Sequence, residues 1–360
     1  MKECKRYLLV VVSLLLFSAG AFAQQIQPKE GDFVLRDFHF RSGEMLPQLK
    51  IHYRTLGNLQ HDAAGHASNA VLLLHGTGGS SASFVGERFA ALFQPGQALD
   101  ANRYFIVIPD GIGHGKSSKP SDGMHARFPH YEYEDMIEAQ HRLVTEGLKI
   151  DHLQLVTGVS MGGMHTWMWG EEHPEFVDRL FPLVCMPIEI AGRNRLWRDF
   201  TMYLISSDPD YNGGEYKQEP HGVAETITMF DLIIDGPSHL QQIAPNRDRA
   251  DALFARWTAH AAENRDATDL LYALNASRNY NPEPNLEKIQ AHVVAVNAAD
   301  DFINPPELGA MDKLIARVKH GKFVLIPVSA GAHGHGSGGD PALWKQYLAE
   351  LMAEKGSDKQ

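Results

Sequence analysis

Residues 153–170 constrain this chain more than any other stretch. Leu153-Gln154-Leu155-Val156-Thr157 is a short, mostly apolar run, and it leads into Gly158-Val159-Ser160-Met161-Gly162-Gly163. A helix-like segment, 164–170, follows directly. A G-x-S-x-G string alone arises by chance in many chains. Between a strand and a helix it predicts a sharp turn that holds the serine in a strained backbone conformation, with glycines leaving room for neighbouring backbone. Such a turn exposes Ser160 Oγ and points the following amides at the same spot. A serine hydroxyl is a weak nucleophile until a base takes its proton, so Ser160 predicts a base and an acid that orients it.

The rest of the chain supplies a sheet for that turn. Apolar runs at 33–40 and 49–55 read as an antiparallel edge pair, followed by 70–74, 104–109, 153–159, 180–186, 293–296 and 323–328. The central runs are apolar throughout rather than alternating, as parallel strands covered on both faces require. Helical patterns fall between them at 82–94, 132–148, 162–173, 306–319 and 341–354. The alternation predicts an α/β class with a mostly parallel, doubly wound sheet. Between Pro187 and Ala291 it breaks, leaving a long interval of helical character with no core strand. A loop of that length without structure of its own does not suit a compact domain. Residues 188–290 are therefore expected to form a helical cap inserted into a core of 24–187 and 291–360. It would sit over the carboxyl ends of the strands, where open α/β sheets bind ligands.

The first 23 residues read as a processing segment. Lys2, Lys5 and Arg6 precede an apolar run at 7–17, and Ala21-Phe22-Ala23 offers small residues to a signal peptidase. The run is short for a membrane span of roughly 20 residues. Cleavage after Ala23 is expected, giving a secreted or periplasmic protein without a membrane span. The remaining chain carries 30 basic residues against 43 acidic ones. An acidic chain without basic clusters has no electrostatic footprint for nucleic acid. Cys185 would be its one cysteine, so no internal disulfide is expected and the core alone must supply stability.

A serine turn on such a sheet resembles the α/β-hydrolase fold, in which the triad partners follow in the order Ser, Asp, His. That resemblance places the acid just past the next-to-last strand, in Asn297-Ala298-Ala299-Asp300-Asp301-Phe302-Ile303-Asn304-Pro305. Asp301, four residues before Pro305, has the spacing usual in this fold; Asp300 is the alternative. The base belongs after the last strand, where His335 has the Gly-His-Gly context such loops carry and His333 is the alternative. Either imidazole titrates close enough to neutral pH to act. A metal reading of the two histidines lacks a third ligand by spacing, so neither metal nor cofactor is expected. Charge developing on a substrate oxygen needs preorganised donors. Met161 N–H is one. Thr77 N–H, in His75-Gly76-Thr77-Gly78-Gly79 after the strand 71–74, is the other. His75 is expected to be a structural hydrogen-bonding residue.

Within that fold the chain resembles the homoserine O-acetyltransferase branch over nearly all of residues 24–360. The likeness is carried by Gln94-Pro95-Gly96-Gln97-Ala98-Leu99-Asp100, by Arg127-Phe128-Pro129 ahead of Asp135-Met136-Ile137-Glu138-Ala139-Gln140, and by Ser160-Met161-Gly162-Gly163-Met164. Asp208-Pro209-Asp210-Tyr211-Asn212-Gly213-Gly214-Glu215-Tyr216 extends it into the insertion. The resemblance implies Asp301 as acid, His335 as base, ping-pong chemistry through an acyl-Ser160, and a possible homodimer built through the cap. It also implies two substrate-binding residues that are missing. Ile227, after Gly222-Val223, stands where the family has a carboxylate-binding arginine, and Gly336 where it has an amine-binding aspartate. A zwitterionic acceptor would find no paired charges, and acyl-CoA is a cytoplasmic metabolite. The expected activity is therefore hydrolysis of a small-molecule ester, lactone or related acyl compound. An O-acyltransferase with another donor or acceptor is the alternative. A non-catalytic binding protein is a third reading, against which the ordered Ser, Asp and His set argues. In the cap, Trp197, Phe200, Tyr203 and Phe230 are expected either to line an apolar pocket or to pack its helices, and Trp167 and Trp169 to lie in the core.

Overall fold

A computed structural model describes residues 27–263 and 265–354; the expected signal segment lies outside the described residues. One sheet holds eight strands: β1 (Lys29–His39), β2 (Met45–Leu56), β3 (Ala70–Leu74), β4 (Phe105–Pro109), β5 (Leu155–Val159), β6 (Arg179–Leu183), β7 (His292–Ala298) and β8 (Gly321–Ile326). Their order in space is β1-β2-β4-β3-β5-β6-β7-β8. β1 with β2 and β2 with β4 are antiparallel, and the remaining pairs are parallel. The helices are α1 (Glu87–Ala90), α2 (Tyr133–Arg142), α3 (Met161–Glu172), α4 (Gly192–Ser206), α5 (His221–Ile234), α6 (Pro237–Ile243), α7 (Arg247–His260), α8 (Ala267–Asn275), α9 (Ala310–Leu314) and α10 (Lys345–Ala353).

The uninterrupted apolarity of β3 follows from its position. Successive residues of a strand face opposite sides of the sheet: Leu72 and Leu74 join one core cluster, Val71 and Leu73 the other. Trp167 and Trp169 of α3 are fully buried in the first cluster, and Phe84 and Trp344 close the second. Five helices, α4 to α8, stand between β6 and β7 with a smaller cluster of their own, including Trp197, Ile205, Val223 and Leu274. Ala276, Tyr280, Leu286 and Ile289 pack in the main core instead, so the chain returns to it earlier than the boundary expected at 290. Trp197 meets Phe230 edge-on at 5.4 Å, but Phe200 and Tyr203 are 48% and 63% exposed. These two face solvent to a large extent. No helix among the described residues is long and apolar enough to cross a membrane.

Four expected elements end differently. The run expected to carry β6 to residue 186 leaves the sheet after Leu183, because Val184 takes φ 47° and donates its N–H to Val296 O at 2.8 Å. Cys185 N–H then goes to Asn297 Oδ1 at 3.1 Å. The stretches at 82–94 and 306–319 are broken into short turns; Gly86 and the left-handed Gly309 stand at the heads of α1 and α9. The helix expected over 132–148 changes at Arg142 into a wider π-type turn, Leu143–Gly147.

The end of α3 carries a pH-dependent contribution. Glu171 is half-buried with Oε2 unbonded, and burial, followed by the adjacent Glu172, pushes its pKa up to about 8. A carboxyl with a raised folded pKa stabilises below its unfolded value, and that contribution is lost as pH rises through the folded one. Glu171→Gln should thus leave Tm unchanged near pH 4 and raise it near pH 8.5. Thermal melts showing the same difference at both pH values would contradict this.

Candidate active site

Ser160 sits between β5 and α3 with φ 56°. A positive φ is strained for a residue with a side chain, and close packing enforces it here. Ser160 N–H donates to Leu183 O at 2.9 Å, tying the turn to the end of β6. A Cβ on Gly162 would collide with the Leu74 carbonyl, so glycine there lets α3 press against the end of β3. The first amides of a helix have no partner within it. Among the described residues, no acceptor takes the N–H of Met161 or of Thr77.

His75 shapes the loop that carries Thr77. Burial pushes its pKa down, and the neutral ring serves two bonds: Nδ1 donates to Gly76 O at 2.9 Å and Nε2 accepts Gly111 N–H at 2.9 Å. Gly76 lies directly against Ser160, a Cβ built on it falling 3.6 Å from the serine Cβ. Thr77 is the next residue in that loop.

Loops after β7 and β8 bring the other two expected residues together. Ser160 Oγ lies 2.8 Å from His335 Nε2, and His335 Nδ1 lies 2.9 Å from Asp301 Oδ2. Asp301 is 2% exposed and His335 7%. Asp301 Oδ1 also accepts the N–H groups of Ile303 at 2.7 Å and Asn304 at 3.0 Å. An ionised carboxylate only accepts hydrogen bonds, so Asp301 holds the proton of His335 on Nδ1. Nε2 is left free to take the serine proton.

The alternatives lie elsewhere. Asp300 forms no side-chain hydrogen bond among the described residues and lies against Gly236. His333 turns to Asp340, 3.7 Å away, and packs edge-on against His239. Ile227 packs with the insertion cluster, and Gly336 lies near Ile234 and the His333 ring; neither position brings charge. Among the described residues no group of three His, Cys, Asp or Glu side chains is arranged to hold a metal ion. Asn304 was not anticipated. Its Nδ2 donates to Val184 O at 2.9 Å and lies 3.4 Å from both Asp301 Oδ2 and His335 Nδ1, bracing the acid against the end of β6. Its position three residues beyond the acid, just before Pro305, was the signal available.

The arrangement can move a proton from Ser160 to His335 beside two unengaged amides. Residues 69–335 match the profile of the alpha/beta hydrolase fold family. A probable acyltransferase of Methanothermobacter thermautotrophicus is 28% identical over 306 residues, 84% of this chain and 92% of the relative. A homoserine O-acetyltransferase of Haloferax prahovense is 31% identical over 310 residues, 76% of this chain and 70% of the relative. Two further homoserine O-acetyltransferases align over 50% and 48% of their own length. Among solved structures, homoserine O-acetyltransferase from Bacillus anthracis is similar with a TM-score of 0.81 at 21% identity, covering 92% of this chain and 99% of that one. An acetylester hydrolase from Corynebacterium glutamicum is similar at 0.77 and 20% identity, covering 91% and 96%.

Proposed function

Since the chain belongs to the alpha/beta hydrolase fold family, in its homoserine O-acetyltransferase-like branch, we propose that it hydrolyses an ester, lactone or related acyl compound through an acyl-Ser160 intermediate. The hydrogen-bonded line from Ser160 through His335 to Asp301 carries this reading. Ser160 Oγ attacks the substrate carbonyl as its proton passes to His335 Nε2, and Asp301 stabilises the imidazolium. The amides of Met161 and Thr77 receive the negative oxygen. Collapse breaks the ester bond, and the leaving oxygen takes the proton from His335. Water then gives a proton to the same Nε2 and attacks the acyl carbon, freeing the acid and returning the proton to Ser160.

Ile227 and Gly336 favour water over an amino-acid acceptor, since neither offers a charge to a zwitterion. An acetylester hydrolase shares the architecture, which supports a hydrolytic outcome on this scaffold. The acyltransferase relatives favour transfer as the second reading. Action outside the cytoplasm belongs to the same proposal and is supported by the basic, apolar and Ala-Phe-Ala pattern of residues 1–23. So does pairing of two copies through α4, supported by the exposed Leu196, Phe200 and Tyr203.

Acyl esters supplied with and without homoserine, a simple alcohol and a simple amine separate the two outcomes. Acid should be released at the same rate in every mixture, with no acylated acceptor. Acyl groups recovered mainly on an acceptor would replace hydrolysis by transfer.

A further inference from the structure

Helix α4 carries a cation without a counter-ion. Arg198 is 2% exposed and, among the described residues, pairs with no carboxylate. Its Nε donates to Asn194 Oδ1 at 3.0 Å, its Nη1 donates to Ser277 Oγ at 3.2 Å, and its guanidinium lies 4.6 Å from the centre of the Trp197 ring. All three partners are neutral. The charged side chain acting on it most strongly is another cation, Arg195. A guanidinium withdrawn from water and given only neutral partners is costly to hold, and burial pushes its pKa below the ordinary value.

The surroundings of Arg198 lead to the candidate active site. Tyr133 Oη is fully buried among the side chains of Arg198, Ser277 and Thr77, without hydrogen-bond geometry to any of them. Thr77 directly follows Gly76, which lies against Ser160. An unsatisfied hydroxyl and an unpaired guanidinium thus converge on the wall of the site that carries an expected oxyanion donor.

We propose that Arg198 and Tyr133 form a carboxylate-binding subsite, so that the substrate is an ester or lactone that also bears a carboxylate. The planar guanidinium presents paired donors that match the two oxygens of a carboxylate, and Tyr133 Oη adds a third donor. The substrate assignment rests on the acyl-Ser160 reading; the anion-binding role of Arg198 does not.

The Ser160→Ala protein allows binding to be measured without turnover. Calorimetric titration compares monoethyl glutarate with ethyl pentanoate, and acetoxyacetate with its methyl ester. The first pair places the charge on the acyl chain, the second on the alcohol. In one pair or both, the charged member should bind at least about tenfold more tightly. Adding Arg198→Met should abolish that preference, and Arg198→Lys should keep part of it; near-UV circular dichroism checks that both variants are folded. Absence of a preference in the Ser160→Ala protein, or equal losses for charged and neutral members, overturns the subsite. An intact preference in a wild-type protein that hydrolyses neither pair would instead remove the hydrolytic reading and leave the subsite standing.

Discussion

Replacing Ser160 with alanine is expected to lower acyl turnover by about 10⁶-fold while leaving the fold intact, since removing a triad nucleophile forfeits the chemistry of the whole relay. The structural work of residue 160 is done by its backbone: its N–H bonds to Leu183 O, and its carbonyl accepts Met164 N–H at 2.9 Å. Alanine keeps both bonds and meets the same positive φ. The Oγ makes a single contact of consequence, with His335 Nε2. Steady-state hydrolysis and a thermal melt measured together provide the check. An unchanged Tm with turnover retained would remove Ser160 from the reaction.

The second large effect separates two neighbouring carboxylates. Asp301→Asn should cost about 10⁴-fold in kcat, whereas Asp300→Asn should stay within about threefold. Asparagine at 301 can keep its oxygen on the amides of Ile303 and Asn304. Its NH₂ then faces His335 Nδ1, which must accept rather than donate. The ring proton moves to Nε2, and the serine loses its base. Asp300 is hydrogen-bonded to neither His335 nor Ser160. The reverse ranking in parallel kcat measurements would transfer the orienting role to Asp300.

The strand-to-helix turn at Ser160 was legible because local chemistry demanded it: the apolar run, the glycines and the helix all lie within residues 153–170. The choice between Asp300 and Asp301, or His333 and His335, needed a spacing rule as well, since each pair shares one loop and one composition. The backbone resolves both by pointing a single member of each at the relay. The early end of β6 left no trace in composition, since Val184, Cys185 and Met186 continue the apolar run; the turn is set by bonds to β7, more than a hundred residues away. Tyr133 and Arg198 escaped for a related reason. An arginine on a polar-looking helix reads as surface until the fold shows what covers it, and here α4 turns that face inward.

These residues belong to different parts of the fold. Ser160, Asp301 and His335 follow β5, β7 and β8, whereas Arg198 rides on a helix inserted between β6 and β7. The inserted helices also touch the loop that carries the acid: Arg193 of α4 donates to Phe302 O at 2.6 Å and Asn194 Nδ2 to Ile303 O at 3.5 Å. A substitution on α4 would thus be felt in the loop that holds Asp301 as well as at the proposed anion subsite.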